Sequence, residues 1–76
     1  MKKETPDLYL SAFAIATGIP LDTSRREGRR VWFGFVVESD AAWEELQRAF
    51  HSGDGMVSGR DMAMAVKAVK SILSIT

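Results

Sequence analysis

The chain reads as a small single-domain α+β protein in the order α-β-β-α-α, a two-stranded antiparallel hairpin packed against three helices. Three observations carry this reading. Residues 8–16 form a nearly unbroken apolar run between helix start and stop signals. Residues 30–37 alternate with period two, and the segments 39–52 and 62–73 repeat apolar residues at spacings of three and four. Seventy-six residues hold one core, because single cores occupy roughly 50 to 200 residues. With 46% hydrophobic and 26% charged residues the composition is that of a folding chain rather than a disordered one.

Helix 1 opens at Thr5-Pro6, read as an N-cap followed by proline at the first helical position, with Asp7 in the first turn where the helix dipole favours a carboxylate. It runs to about Thr17, stopped by Gly18 and Pro20. Of residues 8–16 only Ser11 is polar, so the apolar surface wraps most of the cylinder and calls for burial on more than one side.

The hairpin follows. Leu21 and Thr23 lead into Ser24-Arg25-Arg26-Glu27-Gly28, with the turn at Glu27-Gly28, and the second strand runs from Arg30 to Val37. Alternation places Val31, Phe33, Phe35 and Val37 on one face and Arg30, Trp32, Gly34 and Val36 on the other. The first set is a core face. The second is also substantially apolar, which a solvated face does not require.

Ser39 or Asp40 caps helix 2, which presents Ala42, Trp43, Leu46, Ala49 and Phe50 on one side and ends near Ser52. Gly53-Asp54-Gly55 breaks it, Met56-Val57 adds a short extended piece, and Ser58-x-x-Asp61 opens helix 3 as a variant capping box. Met62, Ala65, Val66, Val69, Ile72 and Leu73 form the apolar stripe of that last helix.

Composition excludes several functions. Ten Lys+Arg against ten Asp+Glu give a net charge of zero, which disfavours a nonspecific nucleic-acid or anionic-membrane binder. The absence of cysteine removes disulfides, thiolate metal sites and cysteine nucleophiles, and one histidine cannot build a multi-histidine site. Met1-Lys2-Lys3 followed by the apolar run outlines a secretory signal. Glu4 and Asp7 interrupt its basic part and the run is short, so the expectation is a soluble cytoplasmic protein without a membrane span.

The pattern Asp7-x-Tyr9-Leu10-x-Ala12-Phe13-x-x-Ala16-x-Gly18, then Arg30-Val31-x-Phe33-x-Phe35, then Phe50, Gly53, Val57, Lys67 and Lys70 resembles a family of short bacterial and phage-associated proteins that carries only a domain-of-unknown-function label. The resemblance spans nearly the whole chain and its motifs are structural. It implies a stand-alone α+β domain and supplies no activity, cofactor or catalytic residue.

Chemistry must therefore come from individual residues. Arg25, Arg26, Arg29 and Arg30 cluster around the hairpin turn and are the candidate phosphate contacts. Zero net charge ranks a solvated tip, or one paired with Glu38, Asp40, Glu44 and Glu45, ahead of phosphate binding. The glycine-rich 53–59 segment fails the dinucleotide and phosphate-loop tests at Ser58 and Arg60, which leaves a turn and a helix cap. His51 sits at a helix carboxyl end, where a cation is favoured without any catalytic partner. Asp40, Glu44 and Glu45 read as surface acidity before cation ligands, and the methionines as core filling.

The expected function is a small non-enzymatic interaction or structural module acting as a homodimer, with no cofactor, metal or small-molecule substrate. Its candidate interface is Trp32, Val36, Tyr9 and Phe13. The size supports this: so short a domain buries only about 60% of its unfolded surface, and a partner chain supplies what disulfides do not. The competing reading is a nucleic-acid or phosphate-binding module using the arginine-rich tip.

Overall fold

A computed structural model describes residues 1–53 and 57–75. The element order is β1 (Lys2–Thr5), α1 (Leu8–Ala16), β2 (Leu21–Glu27), β3 (Arg30–Val36), α2 (Asp40–Ser52) and α3 (Gly59–Ile75). All pairings are antiparallel and the strand order is β1-β3-β2. The expected α+β class with three helices stands. The expected two-stranded hairpin does not, because β1 adds a third strand and makes the order β-α-β-β-α-α.

Lys2-Lys3-Glu4-Thr5 carries no apolar alternation, so its pairing comes from tertiary context. The Met1 amino group donates to the Val37 carbonyl at 2.9 Å, and the Val37 N–H returns the bond to Met1 at 2.8 Å. From there the ladder runs Lys2 opposite Val36 to Thr5 opposite Phe33. Thr5 is thus a buried strand residue, and its Oγ1 accepts the Asp7 N–H at 3.1 Å. Asp7 takes over as N-cap, its carboxylate accepting from the Tyr9 and Leu10 N–H groups at 2.9 and 3.0 Å. Pro6 lies in the connection before the cap.

The β2–β3 turn is Gly28-Arg29, one residue later than the sequence reading placed it. Gly28 has φ 63° and Arg29 a negative φ, the sign pattern of a type II′ turn, whose twist matches the strands it joins. Val31, Phe33, Phe35 and Val37 are buried together, with Phe35 0% exposed.

The helices cover that face. Phe35 meets Trp43 of α2 at 6.0 Å between ring centroids, and Phe13 of α1 meets Phe50 of α2 at 5.5 Å. The α1 helix packs extensively on α3, whose Ala65 and Val69 are buried, so its nearly all-round apolar surface is used on several sides. Ser39 Oγ accepts the Ala42 N–H at 3.1 Å and Ser58 Oγ the Asp61 N–H at 3.0 Å, which places both expected caps. Gly53 ends α2 in the left-handed region at φ 78°. The expected turn at Asp54-Gly55 and extended piece at Met56 lie outside the described residues, and Val57 belongs to no strand. Among the described residues no helix is long and apolar enough to cross a membrane.

Candidate interaction surface

One face of the sheet is taken by the helices, and the other has no covering element among the described residues. Register assigns its side chains: Lys2 and Glu4 from β1, Trp32, Gly34 and Val36 from β3, and Thr23 and Arg25 from β2. The bulge between Leu21 and Thr23 is what moves the later part of β2 into this phase.

Arg25 organises the face. Its Nε donates to Glu4 at 2.8 Å and its Nη1 to Glu27 at 2.6 Å, while the guanidinium lies 5.4 Å from the centroid of the Trp32 ring. Reaching Glu4 from β2 means crossing the whole of β3. The hydrogen bond from Arg25 holds the Glu4 carboxyl below its ordinary value, and the two carboxylates hold Arg25 firmly protonated. Lys2 and Asp22 approach to 4.0 Å on the same side.

Gly34 makes the crossing strap compact. A Cβ on Gly34 would collide with Thr23 Oγ1 and lie 3.0 Å from Lys2 Cε, so neighbouring strands fill the space above its backbone. The Thr23 hydroxyl held there is buried and has no hydrogen-bond partner among the described residues.

The candidate interface residues separate. Trp32 is half-buried beneath Arg25, and Val36 is 58% exposed. Val36 borders a cleft of about 350 Å³ shared with Ile19, Pro20 and Ala42, which extends the apolar character of that end of the sheet. Tyr9 is 55% exposed on α1, away from the sheet's open face. Phe13 is only 5% exposed and stacks on Phe50; it is a core residue and offers no surface to a partner.

The arginines separate too. Arg25 is committed to Glu4 and Glu27 and not to the acidic start of α2. Arg26 is an exposed residue of β2 opposite Val31. Arg29 and Arg30 are exposed at the tip, and neither makes an ion pair among the described residues. Two of the four acidic residues are engaged elsewhere: Asp40 pairs with Lys3 and Glu45 with Arg48, whose hydrogen bond lowers the Glu45 carboxyl. His51 packs edge-on against Phe50 at 5.2 Å. Among the described residues no three acidic, histidine or cysteine side chains gather into a metal-holding group.

The sequence points to Trp32, Val36 and the arginines but not to Glu4 or Lys2, because nothing in the local sequence of β1 marks it as a strand; Thr23 reads there only as part of the first hairpin strand. No family model, curated protein or solved structure matches the chain.

Proposed function

We propose that this protein is a non-enzymatic interaction module that works as a homodimer and meets its partner through the sheet side of the molecule. The observation that carries this reading is the asymmetry of the sheet. One face is covered by helices; the other has no covering element among the described residues, yet it holds Trp32 and Val36. Val36 is 58% exposed there and borders an apolar cleft with Ile19, Pro20 and Ala42, the kind of feature a partner surface uses.

Sedimentation of the unaltered chain tests the dimer. Twice the 8.4 kDa chain mass at high micromolar concentration supports it, and the single-chain mass refutes it. Val36→Asp tests the face: with the open face itself as the dimer contact, the charge dissociates the dimer, whereas a dimer built on a strand edge survives it.

One observation favours the second reading, phosphate contact at the hairpin tip. Arg29 and Arg30 project at the end of the sheet without ion pairs among the described residues, and a dimer doubles that tip. Binding of single-stranded and duplex oligonucleotides at two salt concentrations tests it. The reading requires affinity that falls steeply with salt and is lost when Arg25, Arg26, Arg29 and Arg30 become serine; no binding at about 50 mM salt rejects it.

A further inference from the structure

The β-α-β-β segment with strand order β1-β3-β2 is the first part of a split β-α-β arrangement, in which a later strand can close the sheet beside β1. Here the chain continues into α2 and α3, and among the described residues no strand takes that place. Among the described residues the edge of β1 is therefore unpaired. The opposite edge, β2, is interrupted by its bulge, a feature that discourages further pairing.

The hydrogen-bond phase of β1 is set by its first pair. Met1 and Val37 exchange both main-chain bonds, so Lys3 and Thr5 repeat that pattern, while the main-chain N–H and C=O groups of Lys2 and Glu4 point off the sheet. A second strand docking antiparallel must hydrogen-bond to those two residues. For two copies of β1 three registers satisfy this: Lys2 opposite Lys2, Glu4 opposite Glu4, or Lys2 opposite Glu4. Only the third sets opposite charges against each other, and by symmetry it does so twice, on the open face where Glu4 is also bonded to Arg25 and Lys2 approaches Asp22 within the same chain. That register brings the two Lys3 residues together on the helix side. Each Lys3 carries its own counter-charge there, the Asp40 carboxylate at the start of α2.

From this geometry we infer that a second copy of the chain pairs antiparallel along β1, Lys2 of each copy opposite Glu4 of the other, to form a continuous six-stranded sheet. The twofold axis stands perpendicular to the sheet and puts both helix layers on one side. The open faces merge into a single surface carrying two Trp32 and two Val36 side chains. Lysine on an edge strand normally blocks pairing; alternated with glutamate it instead selects one register and one partner. The inference rests on the homodimer reading above; it places the contact between copies at the β1 edge and leaves the open face, with Trp32 and Val36, uncovered.

A charge-swap experiment on the full chain tests it by sedimentation mass. Lys2→Glu alone sets Glu against Glu and Glu4→Lys alone sets Lys against Lys, so each variant is expected at the single-chain mass. An equimolar mixture of the two restores opposite charges at both positions and is expected to return the dimer mass. Lys2→Pro, which removes an N–H directed off the sheet without touching the β1–β3 ladder, is expected to be monomeric with its circular dichroism unchanged. If the unaltered chain is dimeric but Lys2→Glu, Glu4→Lys and Lys2→Pro all remain dimers, the edge contact is overturned and the homodimer reading stands. An unaltered chain at single mass overturns both. Variants that lose their dimer but do not recover it on mixing, while keeping a folded spectrum, also overturn the proposed register.

Discussion

Arg25 on β2 reaches across the full width of β3 to donate to Glu4 on β1 at 2.8 Å, passing over the Trp32 ring on the way. This one contact ties the two outer strands of the sheet and half-covers the aromatic side chain between them. The guanidinium gives the Trp32 ring a cationic neighbour 5.4 Å from its centroid on the face that the helices leave open.

The strap predicts a pH response with a definite sign. Glu4 has its carboxyl lowered in the folded chain, chiefly by the Arg25 hydrogen bond, so its contribution to stability is present at neutral pH. It fades as acidification carries the group through its folded value, below the ordinary carboxylate range of about 4 to 4.5. Carboxyl NMR titration should find the Glu4 midpoint low in the unaltered chain and raised to the ordinary range in Arg25→Gln. Equal midpoints in the two proteins mean the contact is not held in solution.

Adjacent residues on β3 should respond very unequally to truncation. Phe35 is wholly buried against Trp43, and Phe35→Ala should cost about 3 to 5 kcal/mol in denaturant unfolding, most of the stability of so small a domain. Val36 is 58% exposed on the other face, and Val36→Ala should stay within about 0.5 kcal/mol when measured at low concentration. Comparable losses at both positions contradict the alternation.

Gly34 and Thr23 should be coupled. Gly34→Ala drives a methyl group into Thr23 Oγ1, whereas Thr23 Cβ lies 3.6 Å from the same point and can remain. Thr23→Ala should therefore recover about 1 kcal/mol or more of what Gly34→Ala loses, read from a double-mutant cycle. Thr23→Val should itself stabilise the chain by about 1 kcal/mol, because it removes a buried hydroxyl that has no partner among the described residues. Additive losses in the cycle show that the two side chains do not compete for one space.

The parts of this fold that were legible in the sequence are those written as periodicity or as caps. The alternation of Val31, Phe33, Phe35 and Val37 marks the core face of β3, and Ser39 and Ser58 mark two helix starts. Strand β1 was illegible because Lys2-Lys3-Glu4-Thr5 has neither pattern; it is a strand only by virtue of the partner groups that β3 presents to it. Missing β1 also hid the surface. Arg25 invited pairing with the acidic residues at the start of α2, and only the third strand brings Glu4 within its reach. The N-cap moved from Thr5 to Asp7 for the same reason, since Thr5 was needed in the sheet.

The main-chain N–H groups of Lys2 and Glu4 report most directly on whether a second copy closes the sheet. They point off the β1 edge in the single chain and are hydrogen-bonded only when that edge is paired. Amide hydrogen exchange of the unaltered chain should show both protected at high micromolar concentration and exposed on dilution, while the Lys3 amide, bonded to β3 throughout, changes far less. Fast exchange of Lys2 and Glu4 at both concentrations would contradict the account.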